Sequence, residues 1–341
     1  MNVIDLFSGA GGFSLGFEFA GSDVLAAFDY EARAIETYNA NRVDDHGHVE
    51  DLFELTPADA EADYNLSPDD VDVIAGGPPC QSFSIIGQRD PNDERDDLTH
   101  RYFDWVAWFD PDVFVTENVP GLETKNDGQV LDDLLETGRD MGYEMHYKVL
   151  RADDYDVHQK RKRLFVVGDK TGAWEWPEPT TADATMACIT VLDAITEVAP
   201  VVAGENINYP NHDGPGANSS TKQKYRNTPH KKDPYDHDAY KQVRLDPLEP
   251  ANTIKASNRH FHPYIARRLT VHEMAALQSF PSDYWFKGNE GEMQRQVGNA
   301  VPPHLGLTLA ESVQDALDGD AVASTPTTTG QTSLHEFSRS D

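Results

Sequence analysis

The chain has 341 residues, of which 59 are acidic and 28 are lysine or arginine, giving a formal net charge of -31. This length allows two domains or one large one, and two cysteines argue against a disulfide framework and for a reducing, cytoplasmic setting. No apolar stretch approaches the roughly 18 residues that a membrane span needs, so we expect a soluble protein without a membrane partner. An acidic surface with few lysines keeps a protein hydrated in concentrated salt, which favours a halophilic source over a merely acidic protein.

The charge is distributed unevenly. Residues 1–150 hold 33 acidic and 8 basic residues, whereas residues 204–268 hold 7 acidic and 11 basic residues together with five histidines. A second basic cluster occupies residues 160–163. Charge runs are often only solvated surface, but two basic islands in a strongly acidic chain indicate a nucleic-acid partner.

Short apolar runs alternate with helical patterns from the first residues onward. A strand is predicted at residues 2–7, a glycine-rich loop at residues 8–12 and a helix at residues 13–20. Further strands are predicted at residues 24–29, 71–75, 113–117, 144–150 and 164–168, and helices at residues 32–41, 101–109, 129–141 and 303–317. This alternation predicts an α/β fold with a doubly wound, mostly parallel sheet.

The alternation stops near Trp176, and residues 204–228 are rich in Asn, Gly, Pro and Ser, which is typical of a loop-dominated second domain. We therefore expect a first domain at residues 1–175, a second, smaller domain at residues 176–289 and a return to the first domain at residues 290–318. Residues 319–341 contain few large apolar residues and many Thr and Ser, which predicts a disordered tail.

The loop Gly9-Ala10-Gly11-Gly12 follows the first predicted strand, and Asp29 ends the second. Backbone N–H groups of a glycine loop approach a ligand closely, and an acid at the second strand end accepts hydrogen bonds from ribose hydroxyls. Together they predict an adenosine-bearing cofactor, whereas the loop alone is equally consistent with a tight turn. The spacing falls short of G-x-G-x-x-G, which disfavours NAD.

Cys80 lies in the segment GGPPCQSFS at residues 76–84, directly after a predicted strand. The two prolines fix φ and exclude helix at the residues before them, so the thiol is presented at the carboxyl end of that strand. In open α/β sheets, ligands bind at that edge. A lone cysteine is more often inert core filler, and its position alone leaves both interpretations open.

Two further groups are predicted at the same edge. Glu117 ends another strand and is either a solvated strand end or a carboxylate that faces Cys80. Gln159, Arg161 and Arg163 alternate just before the last predicted strand, so in extended chain they point to one side. Arginines at that spacing bind a phosphate or a carbonyl oxygen, unless they form an ordinary basic surface strand.

The order of these segments resembles the motif series of DNA cytosine-5 methyltransferases. The matching segments are DLFSGAGGF at residues 5–13, GGPPCQSFS at 76–84, ENV at 117–119, QKRKR at 159–163, RLT at 268–270, QSFP at 278–281 and QVGNAVPP at 296–303. The resemblance covers nearly everything up to about Leu317 except residues 172–265, where that family places its target-recognition domain. PPCQ and QxRxR in this order are highly specific.

The resemblance implies transfer of a methyl group from S-adenosyl-L-methionine to C5 of cytosine. Cys80 would add to C6 of a cytosine flipped out of the duplex, which makes C5 nucleophilic. Glu117 would hold the N3 and N4 edge of the base, Arg163 would bind O2, and Arg161 would assist the base or the architecture of the site.

The resemblance and the charge pattern also imply two sets of binding residues. The cofactor would be bound by Phe7, Ala10, Gly11, Gly12, Asp29, Tyr30, Asp51, Pro79, Leu98, Asn299 and Ala300. Tyr30 departs from the tryptophan often found at its position, and the matches at Asp51 and Leu98 are the weakest. Double-stranded DNA would be contacted by Gln88, Arg89, Lys222, Lys224, Arg226, Lys231, Lys232, Lys255 and Arg259. The loop at residues 82–99 would close over the flipped base.

Other functions stay open on the sequence. A tRNA cytosine-5 methyltransferase belongs to the same family, although the basic segment and the absence of a Cys-Phe-Thr signature favour DNA. A non-catalytic nucleic-acid-binding relative is disfavoured because Cys80, Glu117 and Arg163 are all present, and the glycine spacing disfavours a NAD-dependent dehydrogenase. The histidines are scattered and no zinc cluster is expected. We expect a monomer, with a cognate restriction endonuclease as a candidate partner.

Overall fold

The computed structural model describes residues 1–79, 98–180, 189–196, 210–214, 216, 219–233, 242–257 and 259–319. In chain order, the strands are β1 (Asn2–Leu6), β2 (Asp23–Asp29), β3 (Gly47–Val49), β4 (Val73–Gly76), β5 (Val113–Asn118), β6 (Glu144–Arg151), β7 (Gln159–Lys160), β8 (Lys162–Asp169) and β9 (Ala251–Asn252). Each strand expected from the sequence is present to within a few residues, and β3, β7 and β9 are additional.

Seven of these strands form one sheet with the order β3-β2-β1-β4-β5-β8-β6. The first five in this order pair in parallel, whereas β8 is antiparallel to both β5 and β6. The prediction of a mostly parallel sheet is therefore confirmed. Strand β1 has β2 on one side and β4 on the other, so the carboxyl ends of β1 and β4 flank the switch point where such sheets bind ligands.

Helices cover both faces of the sheet. The described helices are α1 (Gly12–Phe19), α2 (Ala32–Ala40), α3 (Pro57–Tyr64), α4 (Leu98–Phe109), α5 (Gln129–Asp140), α6 (Val191–Ile195), α7 (Ser219–Asn227), α8 (Val271–Leu277), α9 (Glu290–Asn299) and α10 (Pro303–Asp318). One apolar core joins the sheet to α1, α2 and α10 through Phe17, Ile35 and Leu309. A second core on the opposite face includes Trp105 of α4 and Leu134 of α5.

Helix α10 crosses α1 at a contact between two glycines. A Cβ atom added to Gly16 would lie 2.4 Å from the backbone carbonyl carbon of Gly306, so a side chain at Gly16 is excluded. The close approach places α10 against the first helix of the sheet after the chain has passed through residues 176–289. None of the helices in the described ranges is long and apolar enough to cross a membrane.

Residues 1–175 are called the sheet region below, and residues 176–289 the second region. A third apolar core joins the second region to α9, and it includes Val191, Met274 and Val297. Ala10 of the glycine loop belongs to the same core. The apolar contacts of the second region therefore continue across the boundary expected at residue 290 and reach the loop after β1.

Candidate active site

The candidate residues of the sheet region converge at the carboxyl edge of the parallel strands. The glycine loop follows β1, Asp29 ends β2, Pro79 follows β4, and Glu117 is the penultimate residue of β5. Arg163 reaches the same edge from the opposite direction, because β8 is antiparallel to β5 and its Leu164 pairs with Asn118, the last residue of β5.

The loop after β1 turns sharply. Phe7, Gly9 and Gly11 have φ values of 60°, 56° and 82°, a region that glycine adopts far more easily than other residues. A Cβ atom added to Gly9 would meet no described atom within 4 Å, whereas one added to Gly12 would lie 2.3 Å from the carbonyl oxygen of Val301. The loop is therefore open at Gly9 and tightly packed where α1 begins.

Asp29 holds the open part of this loop. Its carboxylate accepts hydrogen bonds from the backbone N–H of Gly9 and of Glu31, both at 2.8 Å. Burial raises the pKa of Asp29, and these two donors oppose that shift. The neighbouring Tyr30 ring is 68% exposed, and the hydroxyl oxygen of Ser8 is buried without a hydrogen-bond partner among the described residues. An open backbone, a carboxylate, an exposed ring and an unpaired hydroxyl form a polar cradle at this strand end.

The other cofactor candidates are dispersed around this edge. Asp51 is exposed two residues after β3 and follows Glu50, whose N–H donates to the carbonyl of Asp29 at 3.0 Å. Leu98 is half-buried at the start of α4 and Pro79 is exposed after β4. Asn299, exposed at the end of α9, and Ala300, half-buried, complete the set.

Glu117 and Arg163 form an ion pair, with 2.5 Å between Oε1 and Nε and side chains 13% and 16% exposed. A Cβ atom added to Gly77 would lie 3.4 Å from Oε2 of Glu117. The Asn118 amide donates to the carbonyl oxygen of Pro78 at 3.2 Å. The pair therefore lies beside the segment that leads into residue 80. Cys80, Gln88, Arg89 and most of the loop at residues 82–99 lie outside the described residues, as do Cys188 and residues 320–341.

Gln159 and Arg161 point to the same side, as the alternation predicted, but that side is an internal seam. The Arg161 guanidinium is buried and donates to the carbonyl oxygens of Ile254, Gly298 and Asn299 at 3.1, 3.0 and 3.5 Å. Gln159 accepts from the N–H of Ile254 at 2.9 Å. Burial, assisted by Arg163, lowers the pKa of Arg161 to about 9. Arg161, which lies between β7 and β8, thus links this part of the chain to the end of α9.

The candidates for DNA contact divide into exposed and buried groups. Lys224 and Arg226 are exposed on α7, Lys222 is half-buried, and Lys232 and Lys255 are exposed in loops. Helix α7 is anchored by Tyr225, whose hydroxyl donates to the carbonyl oxygen of His262 at 2.6 Å. The exposed basic side chains are therefore carried on a fixed segment.

Two candidates are engaged by carboxylates. Lys231 is paired with Glu249, and its ammonium lies 3.6 Å from the carboxylate of Asp246. Arg259 is 8% exposed and donates to Glu290 at 2.6 Å and to the carbonyl oxygen of Leu269 at 3.3 Å. The Arg259 guanidinium therefore ties the second region to the start of α9, and its expected contact with DNA stays a prediction.

Three comparisons place this arrangement among known proteins. The sequence profile of the C-5 cytosine-specific DNA methylases matches residues 1–315. The type II methyltransferase M1.HphI of Haemophilus parahaemolyticus is 37% identical over 327 residues, which cover 92% of this chain and 86% of the relative. M.MthTI of Methanothermobacter thermautotrophicus is 33% identical over 339 residues, covering 94% of this chain and 98% of the relative. A putative DNA modification methyltransferase encoded within a prophage of E. coli has the same fold, with a TM-score of 0.80, 24% identity and coverage of 93% and 99%.

Proposed function

The chain belongs to the C-5 cytosine-specific DNA methylase family and is a DNA (cytosine-5-)-methyltransferase, and from this premise we propose that Cys80 forms a covalent bond to C6 of a flipped-out cytosine. The observation that carries the proposal is the ion pair of Glu117 and Arg163 beside Gly77 and Pro78. A carboxyl group and a guanidinium thus lie next to Gly77 and Pro78, which come directly before Pro79 and Cys80 in the sequence.

The proposed chemistry follows from these groups. As the thiolate of Cys80 bonds to C6, the electron pair of the C5–C6 double bond shifts toward C5, and Glu117 in its protonated form donates to N3. Arg163 binds O2 and stabilises the charge that develops on the ring. Once C5 carries the new methyl group, the proton on C5 passes to water as the C6–S bond breaks, which restores the C5–C6 double bond and the Cys80 thiolate, and N3 returns its proton to Glu117. When cytosine binds, Glu117 and Arg163 give up part of their contact with each other and contact the base.

S-adenosyl-L-methionine supplies the methyl group when it is bound. The cradle after β1 and β2 fits an adenosine-bearing molecule, because Gly9 is open and the Ser8 hydroxyl lacks a described partner. Each oxygen of Asp29 already accepts one backbone hydrogen bond and keeps a second lone pair for a ribose hydroxyl. Tyr30 offers an exposed ring for the adenine face.

Double-stranded DNA is the proposed substrate. The type II names of the relatives support DNA over tRNA, and they make a cognate restriction endonuclease the proposed partner. In the second region, Lys224, Arg226, Lys232 and Lys255 are exposed and would contact phosphates, which positions the duplex without reading its sequence. We also propose that the second region recognises the target sequence and that the protein comes from a halophilic organism.

The chain itself offers a matched test, because it contains two cysteines. Cys80→Ser is expected to abolish transfer of labelled methyl groups to DNA while leaving cofactor binding nearly intact, and Cys188→Ser is expected to retain activity. DNA with 5-fluorocytosine at the target site is expected to trap an adduct on denaturing gels with the wild-type protein and with Cys188→Ser. An active Cys80→Ser protein, or methylation of tRNA in preference to DNA, would contradict the proposal.

A further inference from the structure

A short segment at residues 284–287, called the strap below, is hydrogen-bonded to both regions in turn. Trp285 exchanges two hydrogen bonds with the side chain of Asn41, at 2.7 and 3.2 Å. Phe286 exchanges two with the side chain of Asn211, at 2.8 and 2.9 Å. The N–H of Lys287 then donates to the Thr37 hydroxyl of α2 at 2.8 Å. Asn41 and Thr37 belong to the sheet region, whereas Asn211 lies elsewhere in the second region. The strap is therefore hydrogen-bonded to side chains of both regions.

The first residue of the strap reaches the glycine loop. Tyr284 is 5% exposed, and its hydroxyl donates to the carbonyl oxygen of Ala10 at 2.5 Å. Arg42 lies beside it, with its guanidinium 3.4 Å from the Tyr284 oxygen and 3.4 Å from the carbonyl oxygen of Gly11. Glu18 holds Arg42 in place through two contacts of 2.6 and 2.9 Å. Two successive carbonyls of the loop are therefore held by side chains from outside it.

The loop is supported on one side and open on the other. A Cβ atom added to Gly11 would lie 2.7 Å from the ring of Tyr38 and 2.9 Å from the Arg42 guanidinium, so the backbone there rests directly on these two side chains. The Arg42 guanidinium also stacks 3.6 Å over the Tyr38 ring. At Gly9, by contrast, an added Cβ would meet no described atom within 4 Å. Tyr284 and Arg42 thus support the loop at Ala10 and Gly11, while the backbone at Gly9 is open to a ligand.

We propose that Tyr284 is a positioning residue for the cofactor: its hydroxyl, together with Arg42, holds the glycine loop in its binding conformation, and the strap couples that conformation to the second region. The proposal rests on the proposed function of the loop in binding S-adenosyl-L-methionine. A loop that is already ordered loses less conformational freedom when it binds a ligand, so removing a restraint behind it weakens binding without altering any group that touches the ligand. The Ala10 carbonyl would also lose its buried donor.

The test compares two substitutions that delete the same atom. Tyr284→Phe removes the donor to Ala10, and Tyr143→Phe removes a buried hydroxyl that donates to the carbonyl oxygen of Pro111 at 2.8 Å, away from the loop. Titration calorimetry with S-adenosylhomocysteine is expected to show a Kd raised about three- to tenfold for Tyr284→Phe, the range for one hydrogen bond, and little change for Tyr143→Phe. At saturating cofactor and DNA, kcat is expected to stay near the wild-type value, so that the defect lies in KM for the cofactor.

Hydrogen exchange of the unliganded protein gives an independent measurement. In Tyr284→Phe, the amides of residues 9–12 are expected to exchange faster while those of the β5–β8 pairing keep their wild-type rates. Arg42→Lys, which keeps the charge but not the planar guanidinium, is expected to give a smaller shift in the same direction. Wild-type protection and Kd in Tyr284→Phe, or equal effects of Tyr143→Phe, would overturn the inference. A wild-type protein that fails to bind S-adenosylhomocysteine would instead refute the proposed function. The exchange comparison needs no ligand, so it distinguishes that failure from a failure of the role inferred for Tyr284.

Discussion

The sheet region and the second region are stabilised by different kinds of hydrogen bond. In the sheet region, paired strands satisfy the backbone, and carboxylates such as Glu117 and Asp29 lie at the strand ends. In the second region, which has few strands among the described residues, arginines take a larger part in satisfying the backbone: Arg244 donates to the carbonyl oxygens of Pro263 and Thr228 at 2.7 to 3.0 Å. Arg267 pairs with Glu273 through two contacts of 2.7 Å, both side chains being buried.

This difference changes how the basic segment is interpreted. Residues 204–268 contain 11 basic residues, but Arg244, Arg259 and Arg267 are engaged inside the fold. Lysines supply most of the exposed positive charge, because a compact ammonium is strongly hydrated whereas a guanidinium forms several fixed hydrogen bonds in a buried position. The surface available to DNA is therefore less basic than the composition suggests.

Glu117→Gln tests the chemistry assigned to the strand ends and has the largest expected effect. An amide cannot donate a proton to N3, so methyl transfer is expected to fall by about 100-fold or more, the usual size of general acid–base catalysis. Glu123→Gln, at an exposed position just after β5, is the control and is expected to keep wild-type rates. Single-turnover methylation at saturating DNA measures both, and a Glu117→Gln rate within the range of the control would remove Glu117 from the mechanism.

Glu273→Gln tests the framework of the second region. The substitution leaves the buried guanidinium of Arg267 without its charge partner, and such a loss typically costs about 3–5 kcal/mol. Glu249→Gln is the matched control, because Glu249 forms exposed ion pairs with Lys160 and Lys231, and it is expected to leave the free energy of unfolding near the wild-type value. Denaturant titration distinguishes the two, and equal unfolding midpoints would show that the Arg267–Glu273 pair does not organise this region.

Acidic pH is expected to destabilise the second region. Burial lowers the pKa of His260, His262 and His272 to about 4, whereas the unfolded value is about 6.5. Between these values the unfolded state binds more protons, so the free energy of unfolding falls as pH drops from about 6.5 toward 4, by a loss on the order of a few kcal/mol. His262 also accepts the N–H groups of Tyr264 and Ile265 at 3.0 Å through Nδ1, which protonation would prevent.

Asp5 in the sheet region has the opposite dependence. Burial raises its pKa to about 7, and the hydrogen bonds from Ser14 oppose that shift. The folded state therefore binds more protons between about 3.8 and 7, and this contribution to stability is lost as pH rises through that window. Urea titrations at pH 7 and pH 5 measure how far the free energy of unfolding falls in acid. This fall is expected to be larger than in the wild type for Asp5→Asn and smaller for His262→Gln. Parallel pH profiles for both variants and the wild type would contradict these assignments.

The sequence predicts the sheet region well because periodicity and sheet geometry act locally. Each expected strand is present, and the edge shared by Asp29, Glu117 and Arg163 follows from strand order. Helix α3 carries few apolar residues and its periodicity is weak, but Thr56 before Pro57 signals its start. Three capping boxes mark α6, α8 and α9, begun by Thr190, Thr270 and Asn289, and would have located helices that periodicity did not.

Long-range partners of polar side chains could not be predicted in this way. Arg161 looks like a candidate for substrate binding because of its spacing from Arg163, yet its partners Ile254 and Gly298 lie 93 and 137 residues further along the chain. In the sequence, Arg259 is one of the 11 basic residues of the segment at residues 204–268, and only the fold brings Glu290 beside it. No local pattern distinguishes an arginine that binds backbone within the fold from one that faces a ligand, because both types need only donors in a fixed geometry.

The smallest expected effect is that of salt on activity, and it tests the charge contrast between the two regions. A chain with a net charge of -31 repels DNA at long range, but at 1 M salt the Debye length is about 3 Å and this repulsion is largely screened. If the second region binds DNA as proposed, binding then depends on its close contacts, so activity is expected to persist or rise into molar KCl, with a shallow salt dependence of binding. A variant with Asp132→Asn, Asp133→Asn and Glu136→Gln on the exposed face of α5 is expected to bind DNA more tightly at low salt and to converge with the wild type at high salt. An activity optimum at low ionic strength that declines steeply with added KCl would show that the acidic surface is not an adaptation to salt.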